Sequence, residues 1–232
     1  MKIGAVIVAA GRGERMGKGR DKLFYRINGV PLLALCLMNF QDAPEVEGIV
    51  VVMSPAARKR YRDEISGSYE LPKVIRLAAG GRRRQDSVFK GLLAFPEPPE
   101  TVLIHDGDRP FAGPELIRAV TQGCAESGAI PAVRVRDTVK WVEKGGVIKT
   151  LERDRIWLAQ TPQAFPYPLI LAAHRKARKE GRVVTDDASL IEAGGGRVKI
   201  VEGSYDNIKI TTPEDLRAAE MLRAGRAVIG DQ

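Results

Sequence analysis

Short apolar runs alternate along the chain with amphipathic stretches, and this alternation predicts a series of strands and helices. The runs at 3–10, 48–54 and 101–104 are too short for typical helices and are rich in β-branched or other apolar residues. We interpret them as strands buried on both faces of a sheet. Each run is followed by a loop and then by a helical pattern. The sequence therefore predicts an α/β fold, doubly wound around a mostly parallel sheet.

The same reasoning extends this pattern along the chain. Further strands are predicted at 73–77, 129–133, 198–201 and 207–210, and helices at 31–40, 55–65, 87–95, 114–126, 168–179 and 187–193. A last helix begins after Thr212 as N-cap, with Pro213 in its first turn and Asp215 completing a capping box. We find neither a repeat nor a linker, and expect one domain to cover residues 1–232.

Residues 134–151 depart from this alternation. Apolar and charged residues alternate there about Gly145 and Gly146, a pattern typical of a two-stranded β-ribbon. Because an isolated ribbon is only marginally stable in water, it should pack against a second copy of the chain or against the edge of the parent sheet. The sequence thus predicts an inserted β-hairpin arm at about 134–153. If the arm packs against a second copy of the chain, it joins a homodimer.

Glycines and cations cluster in the loops after two of the strands. Among the glycines of the first loop are Gly11, Gly13 and Gly17, and the loop carries five cations: Arg12, Arg15, Lys18, Arg20 and Lys22. The second contains Gly80, Gly81 and the arginines at 82–84. Glycines let the backbone approach a ligand closely, and ligands of open parallel sheets bind at the carboxyl ends of strands. Both loops are therefore candidate phosphate sites.

Acidic residues follow the strand at 101–104. Asp106 and Asp108 suit a hard divalent cation that keeps several waters and bridges to phosphates. The alternative is an Asx turn at Gly107, but beside two basic loops we favour the cation, with Asp106 as its ligand. In the predicted strand 207–210, Lys209 is either a phosphate ligand or an ordinary lysine facing solvent.

Composition narrows the range of partners. A formal charge of +8 suggests an anionic partner. Aromatic residues are only 6% of the chain and do not interleave with the basic clusters, which argues against nucleic acid as that partner. No apolar segment is long enough to span a membrane and the N-terminus does not resemble a signal peptide, so we expect a cytoplasmic protein without membrane contact. We expect Cys36 and Cys124 to be inert thiols, and His105 and His174 to be structural.

Motifs that resemble one family are spread over most of the chain. In order they are AAGRGERMG with Lys22, GGRRRQDSV, HDGDRP, VRDTVK, WLAQTPQAF, TDDAS, VEGSYDNIKIT and TPEDL. Together they resemble the 2-C-methyl-D-erythritol 4-phosphate cytidylyltransferases of the non-mevalonate isoprenoid pathway. The resemblance implies a Rossmann-like nucleotidyltransferase fold, a homodimer joined by the ribbon, Mg2+, and transfer of CMP from CTP to a sugar-alcohol phosphate with release of pyrophosphate.

The resemblance also implies roles for individual residues. Nucleotide-binding positions would be Ala9, Ala10, Gly11, Gly13, Gly81, Ser87 and Asp106, and Asp106 would also hold the metal. Catalytic cations would be Arg15, Lys22 and Lys209. The acceptor phosphate would face Arg109, Thr138, Arg153, Thr161 and Lys209, some of them reaching in from the partner subunit's ribbon.

Two positions depart from the family pattern. The usual HDAARP is HDGDRP here, which adds the carboxylate of Asp108 and leaves open whether it joins the metal site. Arg82 stands where the family often has an acidic residue, so a carboxylate contact to the ribose is not expected from this position. The nearest alternative is a ribitol-5-phosphate cytidylyltransferase, which differs mainly in the acceptor pocket. A nucleotide-binding module without turnover is less consistent with Asp106.

Overall fold

The structure, a computed structural model, describes residues 1–11 and 22–230, the last five of these by their backbone only. The strands, in chain order, are β1 (Ile3–Ala9), β2 (Arg26–Ile27), β3 (Val30–Pro31), β4 (Gly48–Met53), β5 (Val74–Ala79), β6 (Thr101–Asp106), β7 (Ala129–Arg134), β8 (Lys140–Glu143), β9 (Gly146–Thr150), β10 (Trp157–Ala159), β11 (Gln163–Pro166) and β12 (Lys199–Glu202). The α-helices are α1 (Leu32–Asp42), α2 (Pro55–Tyr61), α3 (Arg84–Leu92), α4 (Pro114–Gly123), α5 (Tyr167–Glu180), α6 (Ala188–Glu192) and α7 (Pro213–Gly230).

The central sheet has the strand order β10-β7-β11-β6-β1-β4-β5, with β12 also paired to β7. Strands β5, β4, β1 and β6 are parallel, and β11 runs antiparallel to both β6 and β7. Strand β12 is parallel to β7, and β10 is antiparallel to it. Only β10 and β11 therefore oppose the common direction within this sheet. The predicted mostly parallel α/β sheet is confirmed.

Helices cover both faces of the sheet. On one face Ile7 and Val51 pack with Leu33, and Val6 and Val50 pack with α3 and α5 on the other. Adjacent residues of β1 thus serve opposite cores, because side chains of a strand alternate between faces. This explains why its sequence is continuously apolar and confirms the doubly wound arrangement.

The predicted start of α7 is also confirmed. The Thr212 amide donates to Asp215 Oδ2 at 2.8 Å, and the Asp215 amide donates to Thr212 Oγ1 at 3.3 Å. These reciprocal bonds satisfy amide groups that the first turn of a helix leaves without partners. None of the helices in the described part of the chain combines the length and apolarity needed to cross a membrane.

The ribbon at β8 and β9 forms a separate antiparallel pair, as predicted. Its turn lies at Lys144 and Gly145, both with positive φ (46° and 82°), and Gly146 already belongs to β9. The predicted turn at Gly145 and Gly146 was therefore one residue late. Large apolar side chains of the ribbon are exposed, among them Trp141 and Ile148.

The predicted strand at 207–210 is wrong. This segment contributes no strand, because its backbone bonds run to loops: the Ile210 amide donates to the Asp108 carbonyl at 2.9 Å, and Arg109 Nη1 donates to the Asn207 carbonyl at 2.6 Å. Strands β10 and β11 were not predicted. β10 has three residues, and β11 has four and ends at Pro166. Both strands are too short to show the alternation of apolar and polar residues that marks a strand in a sequence.

Candidate active site

A cavity of about 660 Å3 lies at the carboxyl ends of β1 and β6, beside the start of α3. Its lining residues are Val8, Ala9, Ala10, Gly11, Lys22, Leu23, Gly81, Arg82, Arg83, Arg84, Ser87, Asp106, Asp108, Lys209 and Thr211. Most of the nucleotide-binding and catalytic positions expected from the sequence are thus brought together. Arg15 and Gly13 lie outside the described residues, and their roles remain predictions.

Close packing explains the glycine pair after β5. A Cβ on Gly80 would lie 2.4 Å from the Cβ of Ala10, and one on Gly81 would lie 2.3 Å from the Cβ of Asp86. The Gly81 amide donates to Ser87 Oγ at 2.9 Å, which fixes the loop against α3. A side chain at Gly80 would force the loop away from Ala10, and one at Gly81 would force it away from α3. Either change would alter the shape of the cavity wall.

Asp106 is the centre of a charge cluster at the floor of the cavity. Its Oδ1 accepts from Arg84 Nε at 2.7 Å and its Oδ2 from Lys209 Nζ at 2.6 Å. Burial alone would raise the pKa of Asp106, but the charges of Arg84 and Lys209 outweigh burial and hold that pKa well below its usual range. Asp106 is therefore a carboxylate at any physiological pH.

Lys22 is held by a second carboxylate. Its ammonium contacts Asp108 and also donates to the Ile210 carbonyl at 3.2 Å. The side chains of Lys22 and Asp108 are only 11% and 10% exposed. The lysine expected to act on the triphosphate is thus largely buried and paired with a neighbouring carboxylate.

Arg84 also contacts a buried carboxylate, Asp187, which in turn contacts His174. Arg84 Nη1 donates to Asp187 Oδ2 at 2.7 Å, and His174 Nε2 lies 3.0 Å from Asp187 Oδ1. Burial would raise the pKa of Asp187, but Arg84 and the His174 hydrogen bond lower it overall. This carboxylate fixes one end of the guanidinium whose other end contacts Asp106.

Thr161 and His105 support the loop that carries Asp106. The Asp106 amide donates to Thr161 Oγ1 at 3.1 Å, and His105 lies between Thr161 Oγ1 and the Arg109 carbonyl, at 2.9 Å from each. Burial lowers the pKa of His105 to about 4, so the ring is neutral near pH 7. Its Nε2–H donates to the carbonyl and its Nδ1 accepts from the hydroxyl. Both expected structural histidines, His105 and His174, are fully buried.

The other acceptor-site residues predicted from the resemblance do not line the cavity. Thr138 and Arg153 are exposed and flank the ribbon, where Arg153 Nη1 donates to the Arg136 carbonyl at 2.9 Å. Arg109 is turned toward the Asn207 carbonyl. Their contact with an acceptor remains a prediction.

Sequence reasoning included Arg84 in a candidate phosphate loop, but it gave no individual role to Arg84, Asp187 or Thr211. Arg84 is one of three consecutive arginines, and only its position at the start of α3 separates it from the other two. Asp187 lies in the TDDAS motif, which carried no assigned role. The expected inert thiols are consistent with the structure: burial raises the pKa of both Cys36 and Cys124, the latter to about 11.

The cavity offers few metal ligands. The described residues contain no cluster of three or more His, Cys, Asp or Glu side chains fit for a metal, and the cavity supplies the carboxylates of Asp106 and Asp108. Mg2+ commonly uses one or two carboxylates together with substrate phosphates and waters. Among the residues that the structure describes, the buried Oδ1 of Asp108 has no hydrogen-bond partner. This donor set fits a cation shared with a bound nucleotide.

A mostly parallel α/β sheet with cations and carboxylates around a cavity at its strand ends is the arrangement expected of a nucleotidyltransferase, and the comparison with known families shows that class. The family model for 2-C-methyl-D-erythritol 4-phosphate cytidylyltransferase (IspD) matches residues 3–224. The chain belongs to this family, as the sequence motifs predicted.

Individual relatives agree over nearly the whole chain. The 2-C-methyl-D-erythritol 4-phosphate cytidylyltransferase of Pelotomaculum thermopropionicum is 44% identical over 97% of this chain and 95% of its own. That of Geotalea uraniireducens is 46% identical over 95% and 96%. Among solved structures, the 4-diphosphocytidyl-2C-methyl-D-erythritol synthase of Anaerococcus prevotii has a TM-score of 0.82 at 34% identity, covering 95% of this chain and 97% of its own.

Proposed function

We propose that this protein transfers CMP from CTP to 2-C-methyl-D-erythritol 4-phosphate in the cytoplasm. The products are pyrophosphate and 4-diphosphocytidyl-2-C-methyl-D-erythritol, an intermediate of non-mevalonate isoprenoid biosynthesis. The observation that carries this proposal is the cavity that brings Lys22, Asp106 and Lys209 together, in a chain that matches the family over residues 3–224. The names of the relatives favour this acceptor over ribitol 5-phosphate.

The proposed reaction depends on positively charged groups held close to the reacting phosphates, and it requires no proton transfer. An oxygen of the acceptor phosphate attacks the α-phosphorus of CTP, a new P–O bond forms, and the bond to the β-phosphate oxygen breaks as pyrophosphate leaves. The attacking phosphate is already ionised and needs no general base. Cations aimed at the developing negative charge then supply most of the catalysis. We assign this role to Lys22 and Lys209, which both line the cavity.

Mg2+ fits the same proposal. We propose Asp106 as its protein ligand, since this carboxylate is ionised and lines the cavity. When bound, the ion would neutralise part of the triphosphate charge and stabilise the leaving pyrophosphate.

We expect the purified protein to release pyrophosphate only when CTP, Mg2+ and 2-C-methyl-D-erythritol 4-phosphate are all present. A coupled pyrophosphate assay with each component omitted in turn measures this requirement. Ribitol 5-phosphate at the same concentration serves as the competing acceptor. Equal or faster turnover with ribitol 5-phosphate would replace the proposed acceptor.

We also propose that the ribbon joins two copies of the chain. Trp141, Val142, Val147 and Ile148 are 46%, 51%, 61% and 58% exposed, which is unusual for such large apolar side chains on a two-stranded ribbon. A second copy would cover them and would bring Thr138 and Arg153 toward the partner's cavity. This arrangement would explain why neither residue lines the cavity of its own chain.

We expect the protein to sediment as a dimer at micromolar concentration. Replacing Val147 and Ile148 by aspartate should shift it to monomer, because two charges would be buried in the contact. Met221→Asp is the matched control, since Met221 is also exposed (71%) but lies on α7. A monomeric wild-type protein would contradict the proposed dimer.

A further inference from the structure

The contact between Lys22 and Asp108 is one of three contacts that connect Lys22, Asp108 and Ile210 in a ring. Lys22 Nζ contacts the Asp108 carboxylate and donates to the Ile210 carbonyl at 3.2 Å. The Ile210 amide in turn donates to the Asp108 carbonyl at 2.9 Å. Lys22 is therefore tied to the loop after β6 and, at the same time, to the segment before α7.

This arrangement limits what the ammonium of Lys22 can do. A lysine ammonium has three N–H donors, and the described residues supply acceptors for two of them, which leaves one for a ligand in the cavity that Lys22 lines. A lysine carries a point charge on a flexible stem and does not fix its own direction, unlike the planar fork of arginine. The direction of the free N–H is thus set by Asp108 and Ile210.

Asp108 also has an opposing effect on ligand affinity. It adds a negative charge to a cavity proposed to bind a triphosphate, and its Oδ1 lies 3.9 Å from Lys209 Nζ, outside hydrogen-bond range. That oxygen is buried, and residues 1–11 and 22–230 supply no hydrogen-bond partner for it. The carboxylate thus repels the phosphates of the bound substrate while it orients the lysine that acts on them. These two effects have opposite signs.

We propose that Asp108 is a positioning residue for Lys22, which increases the rate of CMP transfer and weakens the binding of CTP. The inference rests on the proposed function and on the proposed role of Lys22. It assigns Asp108 to Lys22 and leaves Asp106 as the proposed protein ligand of the metal ion, although the carboxylate of Asp108 also lies in the cavity. Removing the carboxylate should therefore lower kcat and, at the same time, strengthen the binding of CTP.

A double-mutant cycle with Asp108→Ala, Lys22→Ala and the double variant tests this inference. Calorimetry without acceptor gives the Kd of CTP with Mg2+, and turnover at saturating substrates gives kcat. We expect Asp108→Ala to bind CTP several-fold more tightly and to lose roughly tenfold in kcat, since misplacement of a catalytic group is costly. In the Lys22→Ala background, Asp108→Ala should cause no further loss of kcat. Asp108→Asn, whose amide oxygen still accepts from Lys22, should recover part of the rate.

Two results would overturn the inference. An undiminished loss of kcat from Asp108→Ala in the Lys22→Ala background would show that Asp108 acts independently of Lys22. Weaker binding of CTP with Mg2+ by Asp108→Ala would instead assign the carboxylate to the metal ion. Melting temperatures check the folding of each variant, and the double variant leaves neither charge buried alone. If wild-type protein binds CTP but does not react with the proposed acceptor, the proposed function fails, while the Kd of CTP with Mg2+ still tests the effect of Asp108: tighter binding by Asp108→Ala supports the inference and weaker binding overturns it.

Discussion

Replacing Lys22 by alanine is expected to lower kcat by roughly 10²- to 10³-fold, which corresponds to about 3–4 kcal/mol of barrier. Its ammonium is held at the cavity wall by Asp108 and Ile210, and the contacts within the described part of the chain leave one N–H for a phosphate. Such a preorganised cation stabilises charge that develops in the transition state and needs little reorganisation during the reaction. Pyrophosphate release at saturating CTP and acceptor measures the effect.

A loss of activity in this variant must be distinguished from a folding defect, because Lys22→Ala leaves Asp108 buried without its partner. Circular dichroism and the melting temperature report on the fold. Lys179→Ala is the matched control, since Lys179 is exposed in the last turn of α5 and has no proposed role. A folded Lys22→Ala protein with near-normal kcat would remove Lys22 from the catalytic role.

The elements that sequence predicts best are those whose signals are local. β1 and β4 are buried on both faces and appear as unbroken apolar runs, and the capping residues of α7 are contiguous in sequence. The first basic loop and the carboxylates after β6 were placed at one sheet edge because parallel strands share a carboxyl end. These local signals were sufficient for the fold class and for the position of the cavity.

The parts that sequence did not predict depend on contacts between distant residues. The segment 207–210 alternates like a strand, but its backbone bonds to the loop at Asp108 and Arg109, which no periodicity encodes. Likewise the pairing of Lys22 with Asp108 spans 86 positions, and that of Arg84 with Asp187 spans 103. Charge patterning shows that cations and carboxylates are present in the site, whereas their pairing follows only from the folded geometry.

Replacing Asp187 by alanine is expected to lower the free energy of unfolding by about 3–5 kcal/mol, the usual cost of removing one partner of a buried ion pair. Asp187 is 1% exposed and contacts both Arg84 and the fully buried His174. Its loss would leave His174 Nε2 without an acceptor and Arg84 attached only to Asp106. Urea denaturation at pH 7 measures the change.

The pH dependence of an isosteric variant, Asp187→Asn, distinguishes lost charge from lost packing. The pKa of Asp187 is lowered in the fold from a reference of 3.8, so its ionised form stabilises the protein above that pH. This stabilisation is lost as pH falls through the lower pKa of the folded state, and the wild-type and Asn proteins should then converge in stability. Glu64→Gln is the control, because Glu64 accepts from Arg60 at 2.7 Å on the surface, where such pairs contribute about 1 kcal/mol or less. Equal stability of wild type and Asp187→Asn at pH 7 would mean that the charge of Asp187 contributes nothing and that its hydrogen bonds and packing account for its effect on stability.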